Sequence, residues 1–312
     1  MNFYFAPMEG VTGYIYRNAH NSFFKGIDKY YSPFIVPNQS VSFKSKDIND
    51  IRPENNQGLE LIPQILTNNA KDFINTSLKI KELGYSEINL NLGCPSGTVV
   101  SKGRGSGFLA KREELGAFLD EIFAASVTSI SIKTRIGKDD PEEFYELIEL
   151  YNRFPIKELT IHPRIQKDFY KNEPNRKVFK DALALSRNPV CYNGDICTVN
   201  DYMKFVEAFP DVGSIMIGRG LLTNPGLINE LTNKEKLEKN VLREFHDRLL
   251  EDYSKVLSGD RNILFRMKEI WFYMNTIFTD STKYMKKIRK SERISDYICV
   301  VDSLFNEQDI WF

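Results

Sequence analysis

The sequence has few cysteines, and they are not grouped as metal ligands are. Its four cysteines, Cys94, Cys191, Cys197 and Cys299, are scattered over 312 residues without the paired spacings of zinc sites. A dense disulfide framework is excluded as well, because it requires many closely spaced cysteines in a short chain. This usage is typical of a reducing compartment, so we expect a cytoplasmic protein without a bound metal.

Long apolar segments are also absent. No apolar run approaches the ~18 residues that a membrane-spanning helix needs. The first ten residues, MNFYFAPMEG, lack the basic start of a secretory signal and reach Pro7 early. We therefore expect neither a membrane anchor nor export.

Neither sign of charge is in excess. Lys plus Arg and Asp plus Glu number 42 each, so the formal net charge is zero. Any surface that binds nucleic acid must therefore be local, because the chain as a whole is not basic. The clearest basic segment is KYMKKIRKSER at 283–293, with six Lys or Arg residues and one Glu. A solvated helix face has the same appearance, and both interpretations stay open.

Apolar, often β-branched runs alternate with amphipathic segments as far as residue 230. This alternation is typical of parallel βα units. We predict a (β/α)₈ TIM barrel of the α/β class, for which ~250 residues is typical, with a doubly wound open sheet as the alternative. The predicted strands lie near 2–8, 30–36, 60–66, 86–93, 129–135, 157–163, 189–194 and 213–218, with helices such as 70–84 and 139–154 between them.

The strand signals end well before the chain does. Amphipathic helical segments, including 263–278, follow from residue 235. We therefore predict a barrel domain over 1–234 and an all-α helical domain over 235–312, in a monomeric protein.

Polar side chains share one face of several predicted strands. Because side chains alternate along a strand, this face points into the barrel while the isoleucines of the same strands point outward. The inward set is Gln64, Asn89, Asn91, Ser131, Lys133, Arg135, Thr160, His162 and Arg164. Each residue alone could be satisfied by backbone or water, but four adjoining strands together indicate a ligand site. Buried cations require an anion, so Lys133 and Arg135 predict a negatively charged ligand.

Glycine-rich turns follow the last two predicted strands. Gly194 follows the seventh strand, and Gly218 and Gly220 flank Arg219 after the eighth. Glycines let backbone N–H groups approach phosphate oxygens, and the Arg219 guanidinium would add a positive charge that can donate two hydrogen bonds. A Gly-Arg-Gly sequence alone fits any tight turn, but at this end of a barrel it predicts a phosphate site.

Six motifs together resemble the tRNA-dihydrouridine synthases, which are flavoenzymes with an FMN-binding barrel and a C-terminal helical RNA-binding domain. The motifs follow the family's order and spacing, and the resemblance covers residues 3–228. They are APMEGVTG (6–13), NLGCP (91–95), SIKTRIG (131–137), IHPR (161–164), YNGDI (192–196) and IGRGLLTNP (217–225). Two motifs depart from the family's pattern: HPRI, with Pro163 and Ile165, replaces an HGRT-like sequence, and Gly226 replaces an aromatic residue after Asn-Pro.

The resemblance implies an FMN cofactor, reduced by NADPH or NADH, and a tRNA substrate. The residues it implies at the flavin are Pro7, Met8, Glu9, Gln64, Lys133 and His162, with Asn193, Gly194, Asp195, Gly218 and Arg219 at the ribityl phosphate. Asn91 would bind the uracil, and Cys94 would be the catalytic acid. Reduction of the uridine C5=C6 bond then needs a hydride from flavin N5 to C6 and a proton from Cys94 to C5. The base must first leave the RNA stack.

Further RNA contacts are expected from basic residues at the barrel mouth and in the helical tail. The candidates are Lys102, Arg135, Arg164, Lys286 and Lys287. Three alternatives stay open: a barrel oxidoreductase of the dihydroorotate dehydrogenase type acting on a small molecule, the same uridine reduction on ribosomal RNA, and a non-enzymatic RNA-binding barrel. A hydrolase with a cysteine nucleophile is disfavoured, because no His/Asp partner set accompanies Cys94 in a recognisable pattern.

Overall fold

The structure is a computed structural model that describes residues 1–37 and 44–311. Over these residues the sheet contains nine strands, and the strands pair in parallel. The strands are β1 (Asn2–Phe5), β2 (Lys29–Tyr31), β3 (Leu61–Ile62), β4 (Gln64–Ile65), β5 (Glu87–Leu92), β6 (Ser129–Arg135), β7 (Leu159–His162), β8 (Val190–Tyr192) and β9 (Ser214–Ile217).

Helices occupy most of the connections between strands and most of the described chain after β9. They are α1 (Tyr14–Phe23), α2 (Ser45–Ile51), α3 (Ala70–Glu82), α4 (Gly97–Val100), α5 (Arg112–Ala124), α6 (Glu143–Tyr151), α7 (Arg176–Leu185), α8 (Val199–Ala208), α9 (Arg219–Thr223), α10 (Leu227–Asn233), α11 (Lys239–Val256), α12 (Asp260–Met274), α13 (Thr282–Lys290) and α14 (Ile294–Glu307). In the described residues, none of them is long and apolar enough to cross a membrane.

The strand order makes the sheet a nearly closed barrel. Neighbours run β3-β2-β1-β9-β8-β7-β6-β5-β4, and the two end strands are separated in the chain only by Pro63. Proline has no N–H to donate, which interrupts the strand at that residue. β3 and β4 together fill the predicted strand at 60–66, so the nine strands are the eight predicted ones. The predicted TIM barrel is confirmed, and the doubly wound open sheet was the wrong alternative.

The parallel register brings the polar positions of adjacent strands level with one another. Asn91 of β5 is aligned with Lys133 of β6, and Arg135 of β6 is aligned with His162 of β7. All six residues of β5 are buried, as expected for a strand covered on both faces. Its isoleucine and leucines therefore pack outward, while its asparagines lie inside the barrel.

Local capping explains where two of the predicted helices begin and end. The Asn69 side chain accepts the backbone N–H of Asp72 at 3.0 Å and starts α3, which ends before Gly84 in the left-handed region at φ +95°. The helix predicted over 139–154 corresponds to α6, and its predicted start was too early. The carboxylate of Glu143 accepts backbone N–H groups from Lys138, Asp139 and Asp140, so these residues form a turn ahead of α6.

The chain divides into two compact units that are discontinuous in sequence. The first contains 1–7, 28–195 and 206–216, and the second contains 8–27, 196–205 and 217–312. The second unit has an aromatic core in which the Tyr297 hydroxyl meets the Trp271 indole N–H at 2.6 Å and His246 Nε2 at 2.6 Å. The division into two domains at residue 234 stays a prediction.

Candidate active site

A chain of hydrogen-bonded amides crosses three adjacent strands inside the barrel. Gln64 Nε2 donates to Asn89 Oδ1 at 2.7 Å, and Asn91 Nδ2 donates to Gln64 Oε1 at 2.7 Å. Asn89 Nδ2 continues the chain to Ser131 Oγ at 3.0 Å. All four side chains are buried. The predicted inward orientation of these residues is confirmed, because they could not bond to one another from opposite faces of the strands.

The amide chain ends at the turn that carries Cys94. Asn91 Oδ1 accepts the backbone N–H groups of Gly93 at 3.0 Å and of Cys94 at 2.9 Å. The Cys94 carbonyl accepts the Ser106 N–H at 3.1 Å and the Ser106 hydroxyl at 2.8 Å. A Cβ on Gly105 would lie only 2.7 Å from that carbonyl oxygen, and Gly105 has φ +54°. The backbone of the half-buried Cys94 is therefore fixed from both sides, and the strand carries its amides partly to hold this turn.

Lys133 places a cation beside the amide chain. Its Nζ donates to Asn193 Oδ1 at 2.6 Å, and Asn193 Nδ2 donates to the Met216 carbonyl at 2.8 Å, so β6, β8 and β9 are joined through one amide. Desolvation of the ammonium is the main cause that lowers the pKa of Lys133 to about 8, and the neighbouring Arg135 cation contributes further. An anion placed here would restore the charged form.

Arg135 lies at the end of β6 and uses its guanidinium to hold backbone. Its Nε donates to the Gly93 carbonyl at 3.0 Å. Nη1 donates to the Ile165 carbonyl at 2.9 Å, and Nη2 donates to the Phe169 carbonyl at 2.8 Å. The Tyr170 ring lies 5.6 Å from the guanidinium carbon. Burial, the main cause, lowers the pKa of Arg135 to about 10, which leaves it charged at neutral pH. It therefore ties the end of β5 to the loop over 165–170.

Arg164 is paired with Asp195 at the same rim of the barrel. Nη1 donates to Asp195 Oδ1 at 2.9 Å, and Nη2 donates to the other carboxylate oxygen. Arg164 Nε donates to the Asn172 carbonyl at 2.6 Å. Nη1 also lies 3.0 Å from His162 Nε2. A guanidinium can only donate, so His162 Nε2 accepts and a neutral ring carries its proton on Nδ1. Arg164, which was predicted to contact RNA, thus binds Asp195, which was predicted to contact the phosphate.

The backbone at Gly194 lies very close to the side chain of Tyr192. A Cβ built on this residue would lie 2.1 Å from the Tyr192 hydroxyl oxygen, so no larger residue fits without movement. Pro7, half-buried, follows β1, and Lys102 is exposed in the turn after α4. Within the first unit, hydrogen bonds join Gln64, Asn91 and Cys94 in one group and Lys133 and Asn193 in a second, while Arg164 links His162 to Asp195 in a third.

The remaining predicted residues belong to the second unit. Met8 and the exposed Glu9 stand in the turn before α1, where the Met8 N–H donates to Thr12 Oγ1 at 2.8 Å. Gly218 precedes α9 and Arg219 begins it, and both are half-buried. Lys286 and Lys287 are exposed on α13. The roles implied for these residues at the cofactor and the RNA stay predictions.

Two groups of supporting residues were missed by reasoning from the sequence. Only the nearby Lys102 was singled out in the sequence, yet Gly105, Ser106 and Gly107 are buried and the Ser106 hydroxyl donates to the Cys94 carbonyl. Two glycines around a serine could have signalled close packing. Tyr170 was also missed, although its ring lies 6.0 Å from that of His162. No periodic signal marks it, because its position depends on the fold of an irregular loop.

Comparison with known proteins gives one clear family. The chain matches the family description "Dihydrouridine synthase (Dus)" over residues 4–299. It is 30% identical over 266 residues to the probable tRNA-dihydrouridine synthase 2 of Bacillus subtilis, covering 81% of this chain and 79% of that protein. It is 27% identical to the probable tRNA-dihydrouridine synthase of Staphylococcus aureus strain COL, covering 81% of this chain and 78% of that protein.

Solved structures resemble the chain in fold. A morphinone reductase variant in complex with tetrahydroNAD aligns with a TM-score of 0.52 at 11% identity, covering 77% of this chain and 89% of that one. Histamine dehydrogenase from Rhizobium sp. 4-9 aligns with a TM-score of 0.56 at 11% identity, covering 83% of this chain and 49% of that one. At this identity the likeness shows the fold alone.

Proposed function

Because the chain belongs to the dihydrouridine synthase family, we propose that it reduces specific uridines of tRNA to 5,6-dihydrouridine, with FMN as cofactor and NADPH or NADH as reductant. The observation that carries the proposal is the chain of amides that starts at Ser131 and ends on the backbone N–H of Cys94, with the Lys133 ammonium beside it. A tRNA substrate is in keeping with a cytoplasmic location.

The residues of the first unit fit the chemistry of FMN. Arg164 is paired with the Asp195 carboxylate, whereas the Lys133 ammonium donates to the neutral amide of Asn193, so the charge of Lys133 suits an anionic ligand. The amide of Gln64 offers both a donor and an acceptor to the edge of a heterocycle. A Cβ at position 194 would collide with a tyrosine side chain, so this position favours glycine. Without a Cβ, its backbone N–H can approach a phosphate oxygen closely.

Lys133 would supply positive charge to the ring of the cofactor. When bound and reduced by the nicotinamide, FMN would supply the hydride for C6 of the uracil. A flavin gains negative charge at its N1–C2=O end on reduction, so a desolvated ammonium held nearby would favour that state electrostatically. Asn193 fixes the Lys133 ammonium in advance, which lowers the reorganisation needed when the ligand binds.

Cys94 would hold the proton that C5 accepts. A thiol is protonated at neutral pH under ordinary conditions and can still give up its proton. The backbone bonds to Asn91 and Ser106 help to set the position of the thiol. Asn91 thus has a positioning role in addition to the proposed contact with the uracil.

Turnover with defined RNAs tests the proposal. The purified protein is examined for flavin absorbance and then incubated with NADPH or NADH and an unmodified tRNA transcript, a ribosomal RNA fragment or free uracil. Dihydrouridine is measured by mass spectrometry of the nuclease digest. We expect bound FMN and product in tRNA only.

Each alternative has its own result in the same experiment. Product from free uracil but not from RNA would support a small-molecule oxidoreductase and refute the proposal. Product only in the ribosomal fragment would keep the chemistry and change the substrate. Protein that binds RNA but cannot be loaded with FMN would be a non-enzymatic RNA-binding barrel.

A further inference from the structure

Phe169 has a backbone conformation that residues with a side chain rarely adopt. Its φ is 50° and its ψ is −96°. Lys234 also has a positive φ, of 61°, but its ψ of 22° belongs to the ordinary left-handed region. At the φ and ψ of Phe169 a Cβ crowds the backbone, whereas glycine, which has no Cβ, adopts such angles without strain. The phenylalanine at this position therefore lowers the free energy of unfolding.

Packing of the Phe169 side chain does not account for its presence. Burial of apolar surface would offset the strain, but this side chain is 43% exposed. Among the residues that the structure describes, no aromatic ring and no cation lies against the Phe169 ring. Strained residues that packing does not explain are concentrated at functional sites. We therefore looked for a function that requires an exposed aromatic ring here.

The backbone of Phe169 is held in place in spite of the strain. The buried Arg135 guanidinium donates from Nη2 to the Phe169 carbonyl at 2.8 Å. The Phe169 N–H donates to the Gln166 carbonyl at 3.3 Å, and the Asp168 carboxylate accepts the Ile165 N–H at 3.0 Å. The loop thus presents the ring to solvent from a fixed support, so little conformational freedom is lost when the ring meets a partner.

Phe169 lies beside the turn that carries the proposed proton donor. The guanidinium that holds the Phe169 carbonyl also donates from Nε to the Gly93 carbonyl at 3.0 Å, and Cys94 follows Gly93. The next residue along the loop, Tyr170, has its ring 6.0 Å from the ring of His162. The exposed Phe169 ring therefore stands at the rim of the candidate active site, where it would meet the part of a substrate that stays outside.

We propose that Phe169 is a wedge that enters the RNA stack when the target uridine leaves it and stacks on the base next to the gap. Extrusion of a base breaks its stacking contacts, and an apolar side chain inserted at that step replaces part of them. The nicotinamide ring of the reductant also has a planar face, but it must enter the site to reach the flavin, whereas Phe169 stands at the rim. The inference rests on the proposed function, because it assigns a further residue to the same reaction.

A double-mutant cycle between protein and RNA tests the inference. The target uridine is first mapped by mass spectrometry of a tRNA transcript treated with the wild-type protein. Transcripts are then prepared with an abasic nucleotide on the 5′ side or on the 3′ side of that uridine. The protein variants are Phe169→Gly, Phe169→Leu and Phe169→Tyr. Val127→Ala is the matched control, because Val127 is 38% exposed and precedes β6, whose opposite end carries Arg135.

We expect Phe169→Gly and Phe169→Leu to lower kcat/KM for the intact transcript by about tenfold, the size of one base–aromatic stack. Phe169→Tyr, which keeps the ring, should retain the wild-type value. With one of the two abasic transcripts, the ratio between wild type and Phe169→Leu should fall to about one, because the ring then has no base to contact.

Two further measurements separate this role from others. Flavin absorbance and the rate at which the nicotinamide nucleotide reduces the flavin should be the same in every variant. Phe169→Gly should melt no lower than the wild-type protein, since relief of the strain offsets the freedom that glycine gains in the unfolded chain.

The inference is overturned if Phe169→Leu reacts as Val127→Ala does, or if its tenfold loss persists with both abasic transcripts. Slower reduction of the flavin in Phe169→Leu would assign the ring to the nicotinamide instead. A much lower melting temperature of Phe169→Gly would show that packing, not function, accounts for the phenylalanine. Wild-type protein that forms no dihydrouridine in any transcript would overturn the proposed function and this inference with it, whereas the other results leave the proposed function intact.

Discussion

Replacing Arg135 by lysine separates a positioning role from the predicted RNA contact. In the structure Arg135 donates three hydrogen bonds, of 3.0, 2.9 and 2.8 Å, to the carbonyls of Gly93, Ile165 and Phe169. A lysine ammonium at this position keeps the charge but cannot reach all three, because it lacks the planar fork. Each bond to a charged group contributes about 1.5–3 kcal/mol. If two of the bonds are lost, the free energy that holds the loops to residue 135 falls by at most about 3–6 kcal/mol.

The expected consequence is catalytic rather than a loss of binding. Gly93 directly precedes Cys94, so loosening of its carbonyl shifts the thiol. A displacement of about 1 Å at a reacting group can lower a rate by about 10²-fold. We therefore expect Arg135→Lys to lower kcat for tRNA by roughly a hundredfold, with little change in KM and in the rate at which NADPH reduces the bound flavin.

Two measurements and a control decide the question. Single-turnover reduction of a tRNA transcript gives the rate at the RNA, and stopped-flow absorbance gives the rate of flavin reduction. Arg153→Lys is the control, because Arg153 is exposed and its nearest acid, Asp120, is exposed as well. An unchanged kcat with a raised KM for tRNA would refute the positioning role and favour direct RNA contact by Arg135.

Three further predictions concern Cys94, Gly194 and Lys133. Cys94→Ala should keep the yellow flavin and its reduction by NADPH but form no dihydrouridine by mass spectrometry, whereas Cys299→Ala, at an exposed cysteine, should be fully active. Gly194→Ala should lose FMN, measured as flavin absorbance per protein, because its Cβ would lie 2.1 Å from a tyrosine hydroxyl; Gly97→Ala, with open space at its Cβ, should retain it. Since the pKa of Lys133 in the ligand-free protein is lowered to about 8, its charged fraction falls as the pH rises through that value. Affinity for reduced FMN should therefore be highest below pH 8 and decline above it, and Lys133→Gln should remove this decline in an anaerobic titration.

Each of these predictions has a result that contradicts it. Turnover by Cys94→Ala would remove the thiol from the chemistry. Full flavin content in Gly194→Ala would show that the tyrosine side chain can move aside and that the close approach is not required. A pH dependence that persists in Lys133→Gln would assign the titration to another group.

The barrel and the inward residues could be predicted because both depend on short-range periodicity. Alternation along a strand needs only the local backbone, and Gln64, Asn91 and Lys133 were assigned to the interior on that basis alone. The registers that align Asn91 with Lys133 then follow from parallel packing.

The partners of the charged residues could not be predicted in the same way. Arg135 and Arg164 bind carbonyls of the irregular loop over 165–172, whose path is set by tertiary contacts rather than by a repeat. The pairing of Arg164 with Asp195 joins positions 31 residues apart. The resemblance assigned Asp195 to the ribityl phosphate, and Arg164 was assigned to the RNA, so the pairing of these two residues was not foreseen.

The interruption of the barrel at Pro63 makes a remote residue important. The backbone N–H of Gln64 has the Ser32 hydroxyl as its acceptor, at 3.0 Å, and Ser32 is fully buried. Ser32→Ala would remove no chemical group from the site. It would, however, leave the buried N–H of Gln64 without this acceptor, at a cost in stability of about 1–3 kcal/mol. Hydrogen exchange at Gln64 should then accelerate before the protein loses its fold. Sequence variants with impaired activity are thus to be sought along this joint, where the Ser32 hydroxyl supplements the backbone bonds between Ile35 and the strand that begins at Gln64.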